Sequence, residues 1–211
     1  MVDTSSSSRR RRGRPRKIAG PDELLAAALR IFSEKGFAAT RLDDVAREVG
    51  VSKAALYLYF ESKQAIFEAL VRSAVIPNVE RLERMVAEWR GSTGELLSHL
   101  VEAIARIVIE SEIAAFPKLI IAEASNFPDL ARFYRSQVIE RVLGLLASIV
   151  RRGIDRGEFR PTDPHLAARL VIAPVLFSAI WKTCFARHDA APFDPAPLLR
   201  LHVDMLLKGL A

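Results

Sequence analysis

Between Thr40 and Lys63 the chain sets hydroxyls, lysines and tyrosines at spacings that suit the edge of a nucleic-acid groove. Thr40 stands three residues before Asp43, the acidic form of a capping box, and Ser52 follows a Gly-Val pair. Each is therefore placed to begin a helix, where free N–H groups and the positive end of the helix dipole favour a phosphate. Lys63 holds the same place at the next helix and adds a full charge, which makes Thr40, Ser52 and Lys63 candidate clamps on a sugar-phosphate backbone. Such clamps position a helix without reading sequence. Lys53 can donate to guanine O6 or N7, while Ala54, Ala55 and the ring of Tyr57 can meet thymine methyl groups, with Tyr59 on a neighbouring face. Each residue also has a plainer reading. The tyrosines could be half-buried core aromatics, the hydroxyls cap helices with or without DNA, and lone lysines are usually solvated charges. Their gathering on one turn-linked pair of helices is what points to DNA.

A second cationic feature lies near the N-terminus. Arg9, Arg10, Arg11, Arg12, Arg14, Arg16 and Lys17 face only Asp3 within the first twenty residues, so this arm carries the whole net charge of +6 and the rest of the chain is balanced. Preceded by four serines and lacking apolar residues to bury, the arm is expected to be disordered on its own. Its segment from Arg12 to Lys17, RGRPRK, resembles the core of an AT-hook. In that motif glycine permits close approach, proline keeps the backbone extended, and guanidinium groups such as those of Arg12, Arg14 and Arg16, with Lys17, enter a narrow A·T minor groove. The plainer reading is a nonspecific polybasic tail.

The elements that must position these residues read as helices throughout. Pro21 to about Lys35 has proline at a first helical position, an apolar face from Leu24 to Phe32 and Gly36 as a stop. A short helix from Thr40 carries Val45, Ala46 and Val49 to Gly50. After a tight turn a second begins at Ser52, with Leu56 and Phe60 one turn apart and facing inward. Two short helices across a three-residue turn make a helix-turn-helix. Beyond Ser62 helical periodicity continues, interrupted at prolines and glycines, and suggests rods at about 62–89, 95–111, 117–125, 129–156, 164–186 and 195–209. Asp163 and Asp194, each before a proline, mark the last two starts. The expected fold is all-α with about nine helices: a basic arm (1–20), a three-helix DNA-binding domain (21–66) and a helical ligand-binding and dimerisation domain (67–211).

Composition excludes several other classes. Half of the 211 residues are apolar and 27% are charged, the balance of a soluble globular protein. The longest charge-free apolar stretch, Leu170 to Trp181, contains Pro174 and falls short of the ~20 residues that span a bilayer, so no membrane partner is expected. The arginines of the arm precede no apolar run, which argues against a secretory signal and for the cytoplasm. Cys184 is the only cysteine, so neither an intrachain disulfide nor a thiolate cluster can form. His99, His165, His188 and His202 lack paired ligand spacing, and glycine-rich phosphate loops, HExxH and GxSxG are missing. Neither an enzyme nor a cofactor is expected.

The run GVSKAALYLYFESK, from Gly50 to Lys63, closely resembles the recognition-helix signature of the tetracycline-repressor (TetR) family of bacterial regulators. The likeness extends back through GFAATRLDDVAREVG and forward into KQAIFEAL, covering about residues 21 to 70. Thr40, Gly50, Val51, Ser52, Tyr57, Tyr59, Phe60 and Lys63 occupy the family's marked positions, whereas Ala54 and Ala55 replace a common glycine or threonine. The resemblance implies a homodimeric transcriptional regulator, in most cases a repressor, on a near-palindromic operator in double-stranded DNA. It also implies a small-molecule pocket in the C-terminal region and a four-helix dimer interface from the last two long helices. Trp89, Phe116, Phe127, Phe133, Phe177 and Trp181 are candidate pocket residues for an apolar or aromatic effector, though such residues are more often core. Stripes at Leu166, Leu170, Phe177 and Ile180, and at Leu199, Val203, Leu206 and Leu210, could form the dimer or the monomer core. A chromosome-associated protein that binds A·T-rich DNA without an effector is the alternative, because the arm could support broad binding.

Overall fold

The computed structural model describes residues 20–211, and among these every regular element is helical. Nine rods follow in order: α1 (Pro21–Lys35), α2 (Leu42–Val49), α3 (Lys53–Tyr57), α4 (63–88), α5 (93–110), α6 (Ala115–Glu123), α7 (128–155), α8 (Pro164–Cys184) and α9 (Pro195–Leu210). The all-α expectation holds, helix-turn-helix included. The arm residues Arg12, Arg14, Arg16 and Lys17 lie outside the described residues.

Local chemistry sets most of the boundaries. Ser52, Ser62 and Ser92 each accept an N–H three residues on, at 3.2, 3.0 and 3.3 Å, and so start α3, α4 and α5. Asp163 accepts from the N–H groups of His165 and Leu166, and Asp194 from that of Ala196, ahead of prolines that have no N–H to leave unpaired. Pro77 lies inside α4 and would clash with the carbonyl four residues before it. The rod absorbs it by widening into a π-turn over Val71–Val75, and Asn78 donates to the Ala74 carbonyl at 2.8 Å.

Two apolar cores run through the bundle. The first joins α1 to α4 with α6 and the start of α7, through buried Phe32, Phe37, Phe67, Phe116 and Leu130. The N-terminal unit therefore does not close on itself: Phe67 packs against Phe116 at 5.7 Å, and Phe37 packs edge-on against Phe127 at 4.8 Å. The second core gathers α5, the later part of α7, α8 and α9 around Leu96, Leu100, Leu146, Val171 and Val175.

α8, at 21 residues, is long and apolar enough to cross a membrane by length and composition alone, with a third of its most apolar window buried. Its surplus faces outward. Leu166, Leu170, Phe177 and Phe185 are exposed, and beside them on α9 so are Leu198, Leu201 and Met205. Of the two readings open for the α9 stripe, the structure has the monomer core. Leu199 and Leu210 are buried within the monomer and Val203 and Leu206 half-buried against the same core, so the outward face lies one residue away in register.

Candidate nucleic-acid interface

Ser52 and the turn before it set the reading helix. Gly50 adopts φ +77°, a conformation open to glycine, and the Val51 N–H returns to the Ala46 carbonyl at 2.9 Å, so the chain reverses within three residues. Leu56 and Phe60 anchor α3 in the first core. Tyr57, Leu58 and Tyr59 then project outward, 44, 85 and 45% exposed, beside exposed Lys53 and Ala54 and half-buried Ala55. Large apolar and amphipathic side chains held in water at the tip of a short helix are suited to a groove floor. Leu58 does not stand out in the sequence because it sits between the two signature tyrosines.

Lys53 is not a free donor. Its ammonium lies 3.0 Å from the Asp43 carboxylate and 5.9 Å from the centre of the Tyr57 ring, and the hydrogen bond to Asp43 raises its pKa. Reading a base would require it to swing away from Asp43. Asp43 and Lys53 both line an open depression of about 550 Å³ that also takes in Arg41, Tyr57 and Ser62.

One expectation, the cap at Thr40, is corrected, and Lys63 has partners within the chain. Thr40 does not cap α2: it is 1% exposed and its hydroxyl donates to the Gly36 carbonyl at 2.7 Å, closing the turn after α1. The N-cap is Arg41, whose N–H donates to the Asp44 carboxylate at 3.2 Å, so the box falls one residue later than the Thr40–Asp43 spacing suggests. Lys63 likewise turns inward. A side chain in the first turn of a helix leans back toward the N-terminus, and here it donates to the Phe37 and Ala38 carbonyls at 2.6 and 3.0 Å, above the rings of Phe37 and Phe127. Burial lowers its pKa, opposed by Glu123. Arg41, at the start of α2, is an exposed cation whose side chain forms no ion pair among the described residues.

The six candidate aromatic pocket residues are not brought together. Phe116 belongs to the first core, Phe127 and Phe133 pack against Phe37 and Arg72, and Trp89 donates to the Ser92 carbonyl beside His99. Phe177 and Trp181 cluster with Phe185 near the end of α8. An apolar cavity of about 380 Å³ lies elsewhere, walled by α5, α6, α7 and α8, with Ile104, Pro117, Ile120, Val138 and Ile172 in its lining. Its walls are aliphatic apart from Tyr134 and Arg169, and no residue of the candidate aromatic set borders it. Composition alone could not show this, because the enclosing residues are the ordinary core types of four helices.

α6 links this cavity to the helix-turn-helix. Pro117, Ile120 and Ile121 face the cavity, while buried Glu123 at the helix end accepts the Ala38 N–H at 2.9 Å, in the same turn that Lys63 holds. One helix thus borders both sites.

The chain matches two family profiles: bacterial regulatory proteins of the tetR family over residues 24–70, and the C-terminal domain of AefR-like transcriptional repressors over residues 95–208. Among curated proteins it is similar to the uncharacterised HTH-type transcriptional regulator YfiR of Bacillus subtilis, 27% identical over 67% of this chain and 69% of that one. Among solved structures it resembles the TetR-family regulator PfmR of Thermus thermophilus, 30% identical with a TM-score of 0.71 over 89% of this chain and 98% of that one. It also shares the fold of FadR from Bacillus subtilis in complex with stearoyl-CoA, 18% identical with a TM-score of 0.70 over 91 and 100% of the two chains. With a family profile spanning more than half its length, an intact helix-turn-helix and an all-helical C-terminal region, the chain belongs to the TetR family of DNA-binding transcriptional regulators.

Proposed function

We infer that this regulator is a repressor that grips a near-palindromic operator as a homodimer and is released from it by a small apolar molecule. The observation that carries this reading is α6. Pro117, Ile120 and Ile121 form part of a cavity wall, and Glu123, at the end of the same helix, fixes the turn that leads into α2. A ligand that spreads the wall displaces the helix, and the displacement reaches α2 and α3 through the Ala38 N–H. Two recognition helices must sit ~34 Å apart, or a multiple of it, to share one face of DNA, so a small tilt is enough to lose register. FadR, of the same fold, holds an acyl ligand, which supports an apolar effector.

On the DNA side, Ser52 and Arg41 contact phosphates, whereas Lys53, Ala54, Ala55, Tyr57 and Tyr59 lie against base edges. The arm, with Arg12, Arg14, Arg16 and Lys17, follows the minor groove, and the protein acts in the cytoplasm on the chromosome. The test is operator binding by the dimer, with and without residues 1–17 and with and without an apolar ligand. Truncation is expected to flatten the plot of log K against log salt by ~0.9 for each phosphate that the arm neutralises. Ligand is expected to weaken operator binding, and operator to weaken ligand binding by the same factor, typically ~5- to 150-fold. A ligand that binds tightly yet leaves DNA affinity unchanged refutes release. Hundreds of occupied A·T-rich sites on the chromosome would favour the architectural reading instead.

A further inference from the structure

The cavity between α5, α6, α7 and α8 carries more chemical information than its apolar character. Of the residues that line it, Arg169 on α8 is the only charged one, and its guanidinium forms neither ion pair nor hydrogen bond among the described residues. Tyr134 on α7 is the only aromatic one. Its hydroxyl makes no hydrogen bond among the described residues, although the residue is 7% exposed and packs against Phe67 and Phe116. Tyr134 also lines a smaller adjoining chamber of about 50 Å³, together with Ile104, Val108, Pro117, Val138 and Val142, which it shares with the main cavity. The remaining walls of the main cavity are isoleucine, valine, leucine, alanine and proline.

This combination restricts the ligand. Largely aliphatic walls around about 380 Å³, with a second chamber of about 50 Å³ behind the side chains they share, suit a flexible hydrocarbon chain better than a flat ring system. Both unpaired polar groups are donors. Arg169 has no acceptor to offer, and burial raises the pKa of Tyr134, which keeps its phenol protonated. An acceptor-only, anionic group therefore matches the pair, whereas an ammonium or an uncharged alcohol leaves the guanidinium without a counter-charge. We propose that this site binds an aliphatic carboxylic acid, with the carboxylate at Arg169, a hydrogen bond from Tyr134 to a ligand oxygen, and the chain against the aliphatic walls. The proposal rests on the effector reading above but concerns direct binding, which is measurable without DNA.

Decanoate, 1-decanol and decyltrimethylammonium, all below their aggregation limits, are titrated by calorimetry into the full-length dimer and into its Arg169→Gln and Tyr134→Phe variants. Arg169 is exposed and the tyrosine change is isosteric, so both variants are expected to keep the wild-type thermal transition and oligomeric state. Wild type is expected to prefer decanoate over decanol by about tenfold or more, a charge-assisted hydrogen bond's share. Arg169→Gln is expected to erase that preference, and Tyr134→Phe to weaken decanoate about 3- to 10-fold while keeping it. Failure of decanoate to bind, equal binding of the three ten-carbon compounds, or a preference that survives Arg169→Gln overturns the proposal. Decanoate binding with the expected variant pattern but no effect on operator affinity upholds the ligand class and removes its regulatory role.

Discussion

Lys63 and Arg41 stand at two helix starts in different surroundings. Both lie on the DNA side of the molecule, but Lys63 spends its donors on the Phe37 and Ala38 carbonyls, left open where α1 ends, and Arg41 keeps its guanidinium in solvent. The signature around Lys63 falls within residues 24–70, which the tetR-family profile matches. What it cannot show is that the side chain folds back over Phe37 and Phe127, because that depends on residues 26 and 64 positions away coming together. Thr40 departs from its expected role for a smaller reason: two acidic residues in succession, Asp43 and Asp44, offer two registers for one capping box, and the carboxylate of Asp44 takes it. The two cations are separable by experiment. Lys63→Met keeps the aliphatic stem over the rings and strands the carbonyls, so it is expected to lower stability by about 1 kcal/mol, with the salt slope of DNA binding unchanged. Arg41→Ala is expected to leave thermal stability unaltered and make that slope shallower by ~0.9. Denaturant melts combined with salt-dependent binding read both, and a flattened slope for Lys63→Met would restore it as a phosphate clamp.

At the scale of elements, the helices are legible wherever their ends carry a chemical signal. Asp163 with Pro164 and Asp194 with Pro195 place the starts of α8 and α9 to the residue. Interiors are less legible: the π-turn at Val71–Val75 is a response to Pro77 further along the same rod, and no local pattern announces it. Gly153 is another interior feature with a three-dimensional cause. It lies near the end of α7, where its carbonyl accepts the N–H groups of Glu158 and Phe159, and a methyl group there would enter the edge of the buried Phe159 ring. Helix propensity favours Gly153→Ala by up to ~1 kcal/mol, while overpacking costs about 1–3 kcal/mol, so net destabilisation is expected in a denaturant melt. A more stable variant would mean that the ring moves aside freely. The cap at Asp163 has a pH signature. Hydrogen bonds from Leu166 and His165 lower its pKa below the ordinary 3.8, so the folded state binds fewer protons than the unfolded state as that carboxylate titrates. Its contribution is complete above pH ~4 and is lost as pH falls through the folded value. The melting temperature of Asp163→Ala is accordingly expected to lie below that of wild type by a constant margin from pH ~7 to ~5, and by a shrinking one below pH ~4.

For the whole molecule, the outer face of α8 and α9 demands a cover. Leu166, Leu170 and Phe177 lie 61, 64 and 53% exposed on α8, and Leu201 and Met205 lie 57 and 64% exposed on α9. Single exposed leucines need no explanation, but a contiguous apolar face on two adjacent helices marks an association site. The sequence shows that α8 and α9 each carry more apolar residues than one side can use. It cannot say which stripe is surplus, since both obey the helical period and only packing against α5 and α7 decides it. Leu199 and Leu210 are spent inside the monomer, which leaves Leu198, Leu201 and Met205 exposed for a partner, and the two sets make opposite demands on mutation. Leu170→Glu combined with Leu201→Glu places charges on the outer face, where a monomer tolerates them and an isologous interface, which repeats each charge on both sides of its two-fold axis, does not. The double variant is expected to sediment as a folded monomer with an unchanged helical spectrum, and to lose affinity for a two-half-site operator far more than for a single half-site, because only the dimer joins two recognition helices. Leu199→Glu, in contrast, buries a charge and is expected to unfold the second core. Sedimentation velocity and circular dichroism distinguish the outcomes, and a Leu170/Leu201 double variant that remains dimeric would show that the partner copy docks elsewhere.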